Sequence, residues 1–138
     1  MAKRYFTVEE ANALVPELRV ILEHFQTRRR ELEERQQTLE AIRQKAGGNG
    51  YRMASEEFLR LKREAEFFLE ECNTAIKKIE ALGCLLKDLH LGLIDFPSLR
   101  DGREVLLCWK SDEAEVAYWH DLTEGFAGRK PIRPHPFS

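Results

Sequence analysis

The chain lacks any apolar run approaching the roughly 18–20 residues that a membrane span requires. Its opening, Met1-Ala2-Lys3-Arg4-Tyr5-Phe6-Thr7, has a basic pair with no apolar stretch behind it and does not read as a signal peptide. Neither sign of charge dominates: 22 Lys and Arg stand against 24 Asp and Glu, a net of -2. That excludes a strongly basic nucleic-acid coat and an acidic tail protein. Cysteine is scarce, and Cys72, Cys84 and Cys108 fall in no CxxC spacing. Neither a disulfide framework nor a structural zinc site is expected from them; they read as a small core residue on a helix and two on strands. Proline is almost missing from the first two thirds, where only Pro16 occurs. What remains is a cytoplasmic protein of 138 residues, enough for one domain, with 43% hydrophobic residues to build a core.

Helical periodicity fills that proline-poor region. Thr7 and Glu10 read as a capping box, with Val8 the first helical residue. Leu14, Leu18, Ile21, Phe25, Leu32, Leu39 and Ile42 then recur in steps of three and four, with Arg28 and Arg35 at the two polar seam positions. The spacing predicts a first helix over 7–46, kinked near Pro16 because that ring removes a backbone donor and crowds the preceding turn. Gly47-Gly48-Asn49-Gly50 forms the connecting loop. A second helix over 55–82 starts on Ser55, carries Phe58, Leu61, Ala65, Phe68, Cys72, Ala75, Ile79 and Leu82 on its stripe, and stops at Gly83. Setting residue 46 opposite 55 brings Arg35 near Glu66, and Arg28 near Glu70 and Asn73. By segment, 1–50 holds 9 basic and 8 acidic residues and 51–82 holds 6 and 7, so most of the charge coats these two helices.

Beyond Gly83 the period shortens to two. Cys84 to Leu89, continuing through Gly92 to Pro97, then Arg103 to Lys110 and Glu115 to His120, read as strands; Asp101-Gly102 is a turn and Ser111 to Ala114 a hairpin loop. Val105, Leu107 and Trp109 share one face, with Leu106 and Cys108 on the other; Val116, Tyr118 and His120 alternate with Ala117 and Trp119. The sheet occupies 84–121, and 122–138, with three of the five prolines, is an irregular arm. The fold class is α+β: a long antiparallel, coiled-coil-like helical hairpin packed at its base on a small, mainly antiparallel three-stranded sheet.

Several segments carry a family likeness: Tyr5-Phe6-Thr7-Val8-Glu9-Glu10-Ala11-Asn12-Ala13-Leu14-Val15-Pro16, then Gly92-Leu93-Ile94-Asp95-Phe96-Pro97, Asp101-Gly102-Arg103-Glu104-Val105 and Leu107-Cys108-Trp109, then Trp119-His120-Asp121 and Gly125-Phe126-Ala127-Gly128-Arg129-Lys130-Pro131. In this order they resemble the bacterial family catalogued as domain of unknown function 2203. The resemblance implies a cytoplasmic bacterial protein of helical hairpin plus small sheet and assigns no activity.

Chemistry-bearing side chains gather in the last third. Asp95, Arg103, His120, Asp121 and Arg129 are the candidate ligand-binding set: a histidine that titrates near neutrality, carboxylates to orient its ring, and guanidiniums that grip a carboxylate or phosphate. For a divalent metal, His90, His120 and Asp121 supply the minimum of two histidines and a carboxylate. Cys108 sits mid-strand without a base fixed beside it, which argues against a nucleophile. The plain structural alternative has Asp95 closing the turn before Pro97 and His120-Asp121 ending a strand. Arg28-Arg29-Arg30 is answered at once by Glu31, Glu33 and Glu34, and the basic tail Arg129-Lys130 and Arg133 has too few aromatics for a nucleic-acid stacking platform. The leading expectation is a non-enzymatic binding or assembly protein that forms a homodimer through its hairpin, where the polar seam positions set the oligomer. The alternative is a small metal- or anion-dependent enzyme built around His120, Asp121 and Arg129.

Overall fold

A computed structural model describes residues 3–46 and 55–132. The expected Gly47–Gly50 loop, together with Arg133 and the prolines after it, lies outside the described residues. Among the described residues, two helices, α1 (Val8–Ala46) and α2 (Glu56–Ala81), precede an antiparallel sheet of β1 (Leu85–Asp88), β2 (Leu93–Arg100), β3 (Arg103–Lys110), β4 (Tyr118–Asp121) and β5 (Lys130–Pro131) in sequence order. The sheet therefore has five strands and not three. The class is α+β as expected, and no described helix is long and apolar enough to cross a membrane.

The chain divides into two compact units, one of residues 1–22 with 76–138 and the other of 23–75. In the first, the capping box holds the start of α1: Thr7 N–H donates to Glu10 Oε1 at 2.9 Å, and Glu10 N–H to Thr7 Oγ1 at 3.1 Å. Pro16 lies within α1, which continues unbroken through it. Ala11, Val15, Leu18 and Leu22 of α1 and Ile79 of α2 form one core with Phe6, Ile94, Phe96, Val105, Leu107, Trp109, Val116 and Trp119. α2 ends where Gly83 takes φ +90, a conformation in which a Cβ is strained, and donates its N–H to Glu80.

Turn chemistry sets the sheet. Arg100 pairs with Arg103 across Asp101 (φ +52) and Gly102 (φ +76), the two left-handed residues of a tight hairpin. Pro97 lies inside β2 without breaking it. In a strand one residue's N–H and C=O point the same way, and the Pro97 carbonyl accepts from Phe6 N–H at 2.7 Å. The missing donor thus faces the N-terminal segment and spares the β3 ladder. Ser98 Oγ completes the tie by donating to the Phe6 carbonyl at 2.6 Å.

The expected strand from Glu115 is shorter, and its alternation differs. β4 begins at Tyr118, and Val116 joins the helix-side core with Trp119, on the face opposite His120. The backbone of 111–117 is committed elsewhere: Val116 N–H donates to Asn12 Oδ1 at 2.7 Å, Ile132 N–H to the Ala117 carbonyl at 2.9 Å, and the Arg19 guanidinium to the carbonyls of Ser111 and Glu113. Within the expected arm, the described residues 122–132 hold a short 3-10 turn at Phe126–Gly128 and β5 paired to β4.

In the second unit, Leu32, Ala65 and Phe68 form a small core with Leu39 packed against it. α2 starts on Ser55, whose Oγ accepts from Phe58 N–H at 3.2 Å. The polar seam residues find partners within the hairpin. Arg35 meets Glu64 at 3.2 Å, two positions from the expected Glu66, while Arg28 bonds Glu31 at 2.8 Å and lies 3.8 Å from Glu71. Both guanidiniums lie over the Phe68 ring.

Candidate functional site

Alternation along β2, β3 and β4 sends Ile94, Phe96, Val105, Leu107, Trp109 and Trp119 toward the helices. The residues between them face the other way and include Asp95, Cys108, Tyr118 and His120. Asp95 pairs directly with Cys108; Cys108 pairs with Tyr118, and Leu106 with His120, so His120 is the diagonal neighbour of Cys108. The carboxylate, thiol and imidazole ligand atoms of Asp95, Cys108 and His120 all lie within 4.8 Å of one another.

The trio is sealed: Asp95 and His120 are each 2% exposed and Cys108 is 1%. His120 Nδ1 lies 2.9 Å from the Asp121 backbone carbonyl, and Nε2 lies 3.2 Å from Asp95 Oδ2. A carbonyl only accepts, so Nδ1 carries the proton of that bond. Nε2 is left facing a carboxyl oxygen. Burial pushes the Asp95 carboxyl up from the ordinary carboxylate range, against the opposing pull of His120. Burial, with the neighbouring Asp95 charge, pushes the Cys108 thiol up to about 12. Among the described residues, Asp95 Oδ1 has no hydrogen-bond partner.

The candidate residues named from the chain are only partly brought together. Asp95 and His120 meet, and Asp95 does so from mid-strand instead of from a turn before Pro97. Asp121 contributes its backbone carbonyl and not its carboxylate, which ion-pairs with Arg103 and Lys130. His90 lies exposed in the turn between β1 and β2 and outside the trio. Leu93 pairs with Lys110 and His120 with Leu106, so about 13 Å of strand separates the two positions. Both guanidiniums of the expected anion site are engaged: Arg129 bonds Glu113 at 2.6 Å and the Cys108 carbonyl at 3.2 Å, and lies over Tyr118 and Phe126. Lys130 bonds Glu124 at 2.7 Å, so the described part of the basic tail is neutralised within the chain. A groove of about 660 Å³ lies elsewhere, between the N-terminal segment and the α2–β1 junction, and none of the trio lines it.

The family model for an uncharacterised conserved protein matches residues 4–132. The chain belongs to that family, DUF2203. The matched span takes in every element of the fold and the whole trio. No curated protein and no solved structure matches the chain. The DUF2203 description assigns no activity, so a functional reading rests on the geometry above.

Cys108 was the member that reading along the chain missed, because nothing near it in sequence looks like a base. A signal was present nonetheless. A two-residue turn at Asp101-Gly102 pairs Arg100 with Arg103 and, counting back evenly along both strands, sets Asp95 opposite Cys108.

Proposed function

We propose that this protein acts as a non-enzymatic assembly protein that pairs with a second copy of itself through the 23–75 hairpin. One observation carries the reading: the two-helix seam closes less completely over several of its side chains than the core of the other unit does over its most buried ones. Leu32, Phe58, Leu61, Ala65 and Phe68 keep 7–9% of their surface, whereas Leu18, Leu22 and Ile79 of the other unit fall to 0–1%. A second hairpin laid against the first would complete a four-helix bundle and remove that residual exposure.

The flank of the seam supports the same partner. At about 100° per residue Leu69 lies roughly 70° round α2 from the seam and is 47% exposed, so a hairpin that covers the seam would cover it too. Charge is complementary between the two helices. Residues 23–46 carry six basic and five acidic side chains, and residues 56–75 carry three and six, so antiparallel copies would set each α1 against the other's α2. A binding role, in place of turnover, is supported by the sealing of Asp95 and His120 and by the ion pairs that occupy Arg103, Asp121 and Arg129.

Light scattering at tens of micromolar tests the reading. The expected mass is that of a dimer, and the variant Leu69→Lys shifts dissociation to at least about tenfold higher concentration, the equivalent of about 1.4 kcal/mol. A monomer for the unaltered chain removes the proposal.

A further inference from the structure

We propose that Asp95, Cys108 and His120 form a binding site for one divalent transition-metal ion of the zinc class. The site is independent of the hairpin reading, since all three residues belong to the sheet. Its donor set is one carboxylate oxygen, one sulfur and one imidazole nitrogen. Thiolate and imidazole favour zinc-class ions, whereas calcium and magnesium take oxygen shells.

Four features of the site fit such an ion. Around a tetrahedral zinc the donors lie about 3.3–3.8 Å apart, given bonds of roughly 2.0–2.3 Å. Asp95 Oδ2 and His120 Nε2 already stand 3.2 Å apart, and the Cys108 sulfur lies within 4.8 Å of one donor atom of each residue. Second, the Asp121 carbonyl holds the proton on Nδ1 and turns the Nε2 lone pair toward the trio, as the outer partner of a metal-bound histidine does. Third, a thiolate, a carboxylate and a neutral imidazole together carry two negative charges, which a divalent ion cancels. A neutral cluster suits a position only 1–2% exposed. Fourth, the Asp95 carboxyl is buried with Cys108 and His120 as its polar neighbours, and its Oδ1 has no hydrogen-bond partner among the described residues.

Three donors are an incomplete tetrahedral set. Among the described residues no fourth His, Cys, Asp or Glu joins them. A buried water would complete the shell.

The test uses the full chain without a His tag, stripped of metal and titrated with Co²⁺ as a spectroscopic stand-in for Zn²⁺. The expected result is one Co²⁺ per chain, with a thiolate-to-metal charge-transfer band and visible bands of tetrahedral intensity, both displaced by Zn²⁺. Cys108→Ser abolishes the charge-transfer band and weakens binding at least about tenfold. Cys72→Ser, Cys84→Ser and His90→Ala leave band and stoichiometry unchanged. Asp95→Asn keeps the charge-transfer band but weakens binding. Should Cys108→Ser fail to fold, the unaltered chain still decides the matter, because Zn²⁺ bound to the native state raises the melting temperature in a concentration-dependent way. No uptake of Co²⁺ by the unaltered chain, no zinc-dependent rise in melting temperature, or an unchanged spectrum in a folded Cys108→Ser would each overturn the proposal.

Discussion

Replacing Asn12 by alanine tests how α1 places the strand that carries His120. Asn12 Oδ1 accepts the Val116 N–H at 2.7 Å, and Val116 is 3% exposed, so water does not replace the lost acceptor. A buried donor left without a partner costs about 1–3 kcal/mol. Helix propensity acts the other way, because alanine is favoured over asparagine in a helix by roughly 0.6 kcal/mol. Asn12 is also the residue whose carbonyl Pro16 cannot bond, and that deficit is the same in both variants. The net expectation is a loss of about 0.5–2.5 kcal/mol. Urea unfolding would show it as a lower midpoint at unchanged slope. Asn12→Asp keeps an acceptor oxygen and adds charge near the helix N-terminus, so it should lose less than the alanine variant. Native-state hydrogen exchange identifies the site: the Val116 amide should lose protection in Asn12→Ala and retain most of it in Asn12→Asp. Equal destabilisation by the two variants, or an unchanged Val116 amide in Asn12→Ala, would refute the reasoning.

Three further outcomes are expected. Gly102→Ala puts a Cβ at φ +76 in the β2–β3 turn and should lower stability by about 1–2 kcal/mol, read by thermal melting, while Asp101→Gly is tolerated. Glu10, Glu104 and Glu124 are each held below the ordinary value of 4.5, chiefly by the Thr7 N–H, the Lys3 ammonium and the Lys130 ammonium respectively. A folded-state value below the unfolded one contributes stability that is present above 4.5 and lost as pH falls through the lowered values, so urea midpoints should decline with acidification from pH 5 and recover on return. Cys72, Cys84 and Cys108 are buried and unpaired, and burial pushes the Cys84 and Cys108 thiols up to about 12. A disulfide exchange reagent near pH 8 should therefore label native protein slowly and release three equivalents promptly once the chain is unfolded.

Local chemistry made much of the fold legible along the chain. The Thr7–Glu10 box, the Ser55 cap and the Gly83 stop each act within one helical turn, and the structure places the starts of α1 and α2 and the end of α2 there. Asp101-Gly102 similarly needs only its own left-handed conformations to join two strands, and its register carries Asp95 to Cys108. The DUF2203 likeness read from the chain is also the family to which it belongs.

What lay beyond the sequence depends on partners far apart in it. Strand alternation from Val116 put that residue on the face of His120, but a bond to Asn12, 104 residues earlier, draws Val116 into the helix-side core. Lys130-Pro131 became a strand because β4 offered an open edge, which no property of that dipeptide announces. Asp121 and Arg103 looked like ligand-binding groups until the sheet set them side by side, where each neutralises the other. His120 stands out along the chain as half of a His-Asp pair ending a strand, with Asp95 or Asp121 to orient its ring; that it meets Asp95 and Cys108, and not Asp121's carboxylate or His90, follows from strand order and register. Sequence by itself determined the elements and their ends, since those forces are local. Tertiary structure decided which polar side chains lose water together, and so where the chemistry of this chain is concentrated.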